Sequence, residues 1–109
     1  MDYFYIRFHD MEFADDPEFQ ALIREYSSQF PSRRDEVLAA LERGDFQAVA
    51  ELAHKLAGCA AVYGFEELGR QARQCEQAIR NGGNELTCRE QGQSFASELH
   101  RAIAASLAA

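Results

Sequence analysis

Proline is scarce in this 109-residue chain, which holds two, and lysine occurs once, as Lys55. Few prolines remove the commonest interruption of a helix, while abundant Ala, Glu, Gln, Arg and Leu favour helices throughout. No run approaches 18 apolar residues, so the sequence contains no candidate transmembrane helix. The N-terminus lacks the basic start and continuous apolar stretch of a secretory signal. The cysteines, Cys59, Cys75 and Cys88, are odd in number and contain no C-x-x-C pair. Two of them fall at core positions of their helices, which favours small buried thiols over metal or redox roles and fits a reducing compartment. There is also no basic stripe. With a net charge of −7, the chain is a poor candidate for binding nucleic acid or anionic lipid. The expectation is a cytoplasmic, all-α protein of one domain, and the starting Met1 leans towards a stand-alone chain.

What is present divides into two parts. Residues 1–15 carry Tyr3, Phe4, Tyr5, Ile6, Phe8, Met11 and Phe13, and residues 1–20 hold six acids against the single base Arg7. This segment reads as an N-terminal cap lying over the core. Residues 16–109 read as helices with short connections. Asp16-Pro17 is a helix start, with aspartate as N-cap and proline in the first helical position. Phe19, Leu22, Ile23, Tyr26 and Phe30 form an apolar stripe, which Pro31 interrupts and Val37, Leu38 and Leu41 resume; either one helix kinks there or two helices meet. Gly44-Asp45 is a stop followed by an N-cap, opening a helix that runs to about Tyr63, where Gly64 closes it. A further helix from about Glu66 to Arg80 buries Leu68, Ala72, Cys75 and Ile79. Asn81-Gly82-Gly83-Asn84 is a turn by composition, and a last helix, about Glu85 to Leu107, carries Leu86, Phe95, Leu99, Ile103 and Leu107. Four long amphipathic helices with short connections predict an antiparallel up-down four-helix bundle.

The helix beginning near Phe46 carries the chain's most informative residue. Phe46, Val49, Leu52, Ala53, Leu56, Ala60 and Tyr63 recur at three-and-four spacing and cluster within roughly 80° of one direction. His54 points roughly 150° from the centre of that cluster. Gly58 and Ala61 follow it on the outer face, and Gln47 precedes it. An imidazole placed for packing would not stand there. Its neutral form is a nucleophile near neutral pH, because an unperturbed histidine titrates near 6.5. His9 and His100 lack such a setting and read as structural or solvent-facing.

The segment Ala53-His54-Lys55-Leu56-Ala57-Gly58 through Gly64 resembles the histidine-containing phosphotransfer (HPt) domains of bacterial two-component phosphorelays. Their signature is a histidine, leucine two residues on, lysine three on, glycine four on and a second glycine near ten on. His54, Leu56, Gly58 and Gly64 match it, and Gly44-Asp45 and Phe65-Glu66-Glu67-Leu68 also look like the family. The likeness covers residues 17–107, with one departure, Ala57 in place of the lysine. The resemblance implies that His54 accepts a phosphoryl group on Nε2 from the aspartyl phosphate of a receiver domain and returns it to another receiver's aspartate. Lys55 would stabilise the charge. Gly58 leaves room for the phosphoryl group and the partner, Ala50, Ala57 and Ala61 give a shallow docking patch, and Arg70 and Arg73 form a polar rim. The partners implied are response-regulator receiver domains or a hybrid sensor kinase. No cofactor is expected on this chain, magnesium being the receiver's, nor is autokinase activity, since no nucleotide-binding motif is present. A monomer is expected.

Two other classes compete. Glu51-Leu52-Ala53-His54 has the Glu-x-x-His spacing of metal-carboxylate bundles, but such sites need two of these motifs facing inward, and this one is single and faces outward. A non-catalytic helical module that docks a receiver without accepting phosphate is the alternative closest to the family reading.

Overall fold

The computed structural model describes residues 16–108, with side chains as far as Ser106. The segment 1–15, expected as a cap, and His9 within it lie outside the described residues. Those described form five helices: α1 (Pro17–Ser27), α2 (Phe30–Glu42), α3 (Phe46–Ala60), α4 (Glu66–Arg80) and α5 (Glu85–Ala108). None of them is long and apolar enough to cross a membrane.

Local chemistry sets the helix boundaries. Asp16 accepts from the Glu18 N–H at 2.8 Å, Asp45 from the Ala48 N–H at 3.1 Å and Asn84 from the Thr87 N–H at 2.8 Å, so α1, α3 and α5 each begin under a side-chain cap. Three helices end alike. Gly44, Gly64 and Gly82 take positive φ angles of 72°, 89° and 78°, and the amide after each reaches back to the carbonyl of Ala40, Ala60 or Ala78. This is the Schellman closure, which glycine adopts without the steric cost of a Cβ. Pro31 marks two helices rather than one kinked one. α1 stops at Ser27, and proline falls in the first turn of α2, where its missing N–H removes no helical bond.

The short connections force antiparallel neighbours. α3 packs on α4, α4 on α5, α5 on α2 and α2 on α3, closing a four-helix ring as the sequence predicts. Phe30, Val37, Val49, Leu68, Phe95 and Leu99 fill it without solvent exposure. α1 stands outside the ring, against α5 and the α3–α4 end. The Tyr26 ring lies 4.8 Å from Tyr63 and 5.2 Å from Phe30, and its hydroxyl donates to the Leu56 carbonyl at 3.2 Å. Burial pushes the Tyr26 phenol well above its usual range, with smaller contributions from Cys59 and Tyr63, so it remains a donor at physiological pH. At the opposite corner, Arg89 of α5 donates to the Leu41 carbonyl at 2.9 Å, and its guanidinium lies 5.4 Å from the centroid of the Phe46 ring.

Several expectations of burial need correction. Leu22, Leu38 and Leu86 are 48%, 46% and 66% exposed. Leu38 stands roughly 100° from the mean direction of Phe30, Val37, Ala40 and Leu41, beyond the arc that the ring covers. Leu22 belongs to a helix outside the ring, and Leu86 to the first turn of α5. Cys75 and Cys88 are buried, and burial raises the Cys75 thiol to about 12; Cys59 is exposed instead.

Gly92 of α5 packs directly on the Leu41 side chain of α2. A methyl group there would lie 2.5 Å from Cδ2 of the buried Leu41 and 3.3 Å from its Cγ. Overpacking of that kind costs about 1–3 kcal/mol, more than the gain of about 1 kcal/mol in helix propensity. Gly92→Ala is therefore expected to lower stability in urea unfolding; an increase would mean that Leu41 moves aside freely.

Candidate functional site

The face of α3 away from the ring core carries His54, whose side chain is 71% exposed. Its neighbours Ala53 and Leu56 are buried, so the backbone at this point is held by the core while the imidazole stands in solvent. The ring is not free to turn. Nδ1 lies 2.9 Å from Oε2 and 3.2 Å from Oε1 of Glu76, on α4. Glu76 is itself only 16% exposed, and the Nε–H of Arg80, one turn further along α4, donates to its Oε2 at 2.8 Å.

This arrangement assigns the ring's protons. The Glu76 carboxyl titrates below the usual carboxylate range, chiefly because Arg80 hydrogen-bonds it; desolvation opposes the shift, and the His54 hydrogen bond adds a smaller lowering. An ionised carboxylate only accepts, so Nδ1 must be the donor. In the neutral imidazole the lone pair is then on Nε2. Solvent exposure and tautomer together leave that nitrogen available as a nucleophile.

Glu76 and Arg80 escaped the sequence reading, although a signal was present. The α3–α4 hairpin turns at Gly64-Phe65, and residues equally far from the turn on antiparallel helices stand at the same height. His54 and Glu76 are each eleven positions from Phe65. Gly69 confirms the register from the buried side, since a methyl group there would lie 3.7 Å from the Ala61 nitrogen, again a pair equidistant from Phe65.

The predicted partner surface is narrower than the helical wheel suggests. Ala50 is buried with no exposure, which removes it from any docking patch; in the hairpin register it stands level with Arg80, under the end of α4. Ala57 and Ala61 are half-buried against α4, Ala57 also packing on the core. Arg70 is exposed and paired with Glu67, and Arg73 is exposed. Lys55 turns the other way, into a groove of about 350 Å³ between α2 and α3 that Glu36, Arg43 and Glu51 also line. His54 and Lys55 thus occupy opposite flanks of α3, and Glu51 lies on the Lys55 side. His100 is exposed on α5, where Arg34 donates to its Nδ1 at 3.3 Å.

Gly58 is exposed one turn beyond His54, and among the described residues a methyl group there would meet no neighbouring atom within 4 Å. Nothing among the described residues requires a glycine at that place.

An all-α bundle that presents a tethered imidazole on its surface has the architecture of a histidine phosphotransfer protein. The family model for the Hpt domain matches residues 21–109, and the chain belongs to that family. Its domains act in two-component signalling, where they work with receiver domains and kinases. No curated protein and no solved structure matches the chain.

Replacing Gly58 by alanine is expected to raise stability by about 0.5–1 kcal/mol, the usual difference between the two residues in a helix interior. Thermal unfolding checks this. A loss of stability would reveal an internal reason for the glycine.

Proposed function

We propose that this chain is a phosphocarrier in which His54 takes a phosphoryl group from the aspartyl phosphate of one receiver domain and passes it to the aspartate of another. The observation that carries the reading is the exposed His54 imidazole, tied through Nδ1 and open at Nε2, in a chain of the Hpt family. Phosphoryl transfer depends on in-line positioning and on stabilisation of negative charge more than on covalent machinery. A ring fixed by one hydrogen bond meets the first requirement. Gly58 leaves the space through which a receiver brings its phosphoryl group close. Arg73, and Arg70 with its Glu67 partner, form a polar rim on α4. Lys55 adds positive charge from the α2 flank rather than by contact with the ring. The chain supplies no cofactor; magnesium belongs to the receiver. It acts as a monomer, without autokinase activity.

The competing reading is a receiver-docking module that does not accept phosphate, and Ala57, in the place of the family's lysine, is the observation in its favour. Incubation with radiolabelled phosphorylated receiver domains separates the two. Label is expected on the wild type, acid-labile and alkali-stable, and absent from His54→Gln, whose helicity and melting stay close to wild type because the side chain is mostly in solvent. Label on neither protein, with a receiver demonstrably bound, would establish the docking module.

The same assay tests the surface. Gly58→Glu places bulk and negative charge beside the imidazole and is expected to reduce transfer at least tenfold, equivalent to about 1.4 kcal/mol or more of lost transition-state stabilisation. Unchanged transfer would remove Gly58 from the contact surface.

A further inference from the structure

A phosphoryl group on Nε2 of His54 would bring up to about two negative charges to the surface of a chain that is already acidic. Which cation meets them depends on how each nearby base is already engaged. Lys55 turns into the α2–α3 groove. The Nε–H of Arg80 is bound to Glu76, and Arg70 is paired with Glu67. Arg73 is exposed and makes no ion pair or hydrogen bond among the described residues.

The hairpin register sets the height of Arg73. It stands eight positions after Phe65 and Ala57 eight before it, so the two are level across the α3–α4 seam. On α4, Arg73 lies roughly 60° from Glu76, on the side away from the buried Leu68, Ala72 and Cys75, whereas Arg70 lies roughly 120° from it. On α3, Ala57 lies roughly 60° from His54 towards α4, and Gly58 roughly 40° the other way. Ala57 is half-buried and offers only a methyl group, so a long side chain from α4 can pass over it to the bare surface at Gly58. Ala57 also stands where the Hpt signature has lysine. The seam lacks that cation on α3 and holds one at the same level on α4.

We propose that Arg73 is the phosphoryl-binding residue of this chain, its guanidinium hydrogen-bonding the oxygens of the group on Nε2 from the α4 side; the inference rests on the phosphocarrier reading. In the transfer, the Nε2 lone pair bonds to phosphorus, the P–O bond to the receiver's aspartate breaks, and its electron pair leaves with that carboxylate. The guanidinium gives up no proton. It offers a planar fork of N–H donors that matches two phosphoryl oxygens, and its charge offsets theirs. A lysine at position 57 would set a like charge against the same guanidinium, so the two cations are alternatives rather than partners.

The test uses the whole chain, phosphorylated chemically with phosphoramidate so that no receiver is needed. It follows against pH the ³¹P resonance of the phosphohistidine that is absent from His54→Gln. The second ionisation of a phosphoryl group falls near about pH 6, and a cation in contact lowers it. In Arg73→Gln the midpoint is expected to rise by about 0.5–1 pH unit, with thermal unfolding close to wild type because the side chain is exposed. Arg73→Lys should keep the wild-type midpoint, and Ala57→Lys added to Arg73→Gln should restore it from the other wall of the seam. Arg70→Gln should shift it less. With a phosphorylated receiver as donor, Arg73→Gln should also slow transfer about tenfold. Equal midpoints in wild type and Arg73→Gln would overturn the proposal, as would an equal shift from Arg70→Gln, the mark of diffuse charge along α4. If the midpoint follows Arg73 while no receiver exchanges phosphate with wild-type His54, the phosphocarrier reading fails and the cation assignment stands.

Discussion

The register of the α3–α4 hairpin is the constraint on which the functional face depends. It is set at Gly64-Phe65, where a left-handed glycine lets the Phe65 amide bond back to the Ala60 carbonyl at 2.8 Å. From that fixed point, the helical rise places Glu76 opposite His54 and Gly69 against Ala60 and Ala61. A one-residue change in the turn would rotate α4 by about 100° relative to α3 and carry the carboxylate away from the imidazole. The aromatic group formed by Tyr26, Phe30, Tyr63 and Phe65 packs directly around this turn, so the least adjustable part of the hairpin is also its best buttressed. The geometry around Nδ1 is therefore inherited from packing eleven residues away.

Much of this was legible in the chain because it is written locally. Asp16, Asp45, Gly44, Gly64 and Gly82 act on their own neighbours, and the helix ends follow within a few residues. His54 and Gly58 were legible for a related reason, since an outward position on an amphipathic helix is a property of that helix alone. What failed depended on a second helix. Ala50 lies on the His54 side of its own wheel yet is fully buried in the folded bundle. Leu38 looks like core until the width of the ring is known. Lys55 is adjacent to His54 in sequence, yet the α2–α3 groove receives it. Glu76 is the instructive case, an acid that reads as half-exposed solvent face until the turn at Gly64 is used as an origin.

The two helical glycines outside the turns show how differently one residue type can be justified. Gly92 is demanded from within, by the Leu41 side chain packed against it. Gly58 has no such demand and weakens its own helix by its entropy. The position costs stability with no reason among the described residues, and it lies one turn from the tethered imidazole, where the proposed function places a receiver. Charge is arranged to similar effect. The chain is acidic overall, yet Arg70, Arg73 and Arg80 occupy the outer flank of α4 beside His54.

Arg89 ties together three elements that are remote in sequence. Its guanidinium satisfies a carbonyl at the end of α2, lies over Phe46 at the start of α3, and belongs to the second turn of α5, near Glu85 at 3.5 Å. The α2–α3 corner is thus anchored from α5, whereas the α3–α4 turn is anchored by aromatic packing. Loss of the Arg89 guanidinium would therefore release the corner at Gly44 without touching the aromatic contacts of the hairpin that holds His54 and Glu76. The two ends of the bundle are thus held by different chemistry, one by a guanidinium and the other by packed rings, and the imidazole's hydrogen bond belongs to the hairpin that the rings buttress.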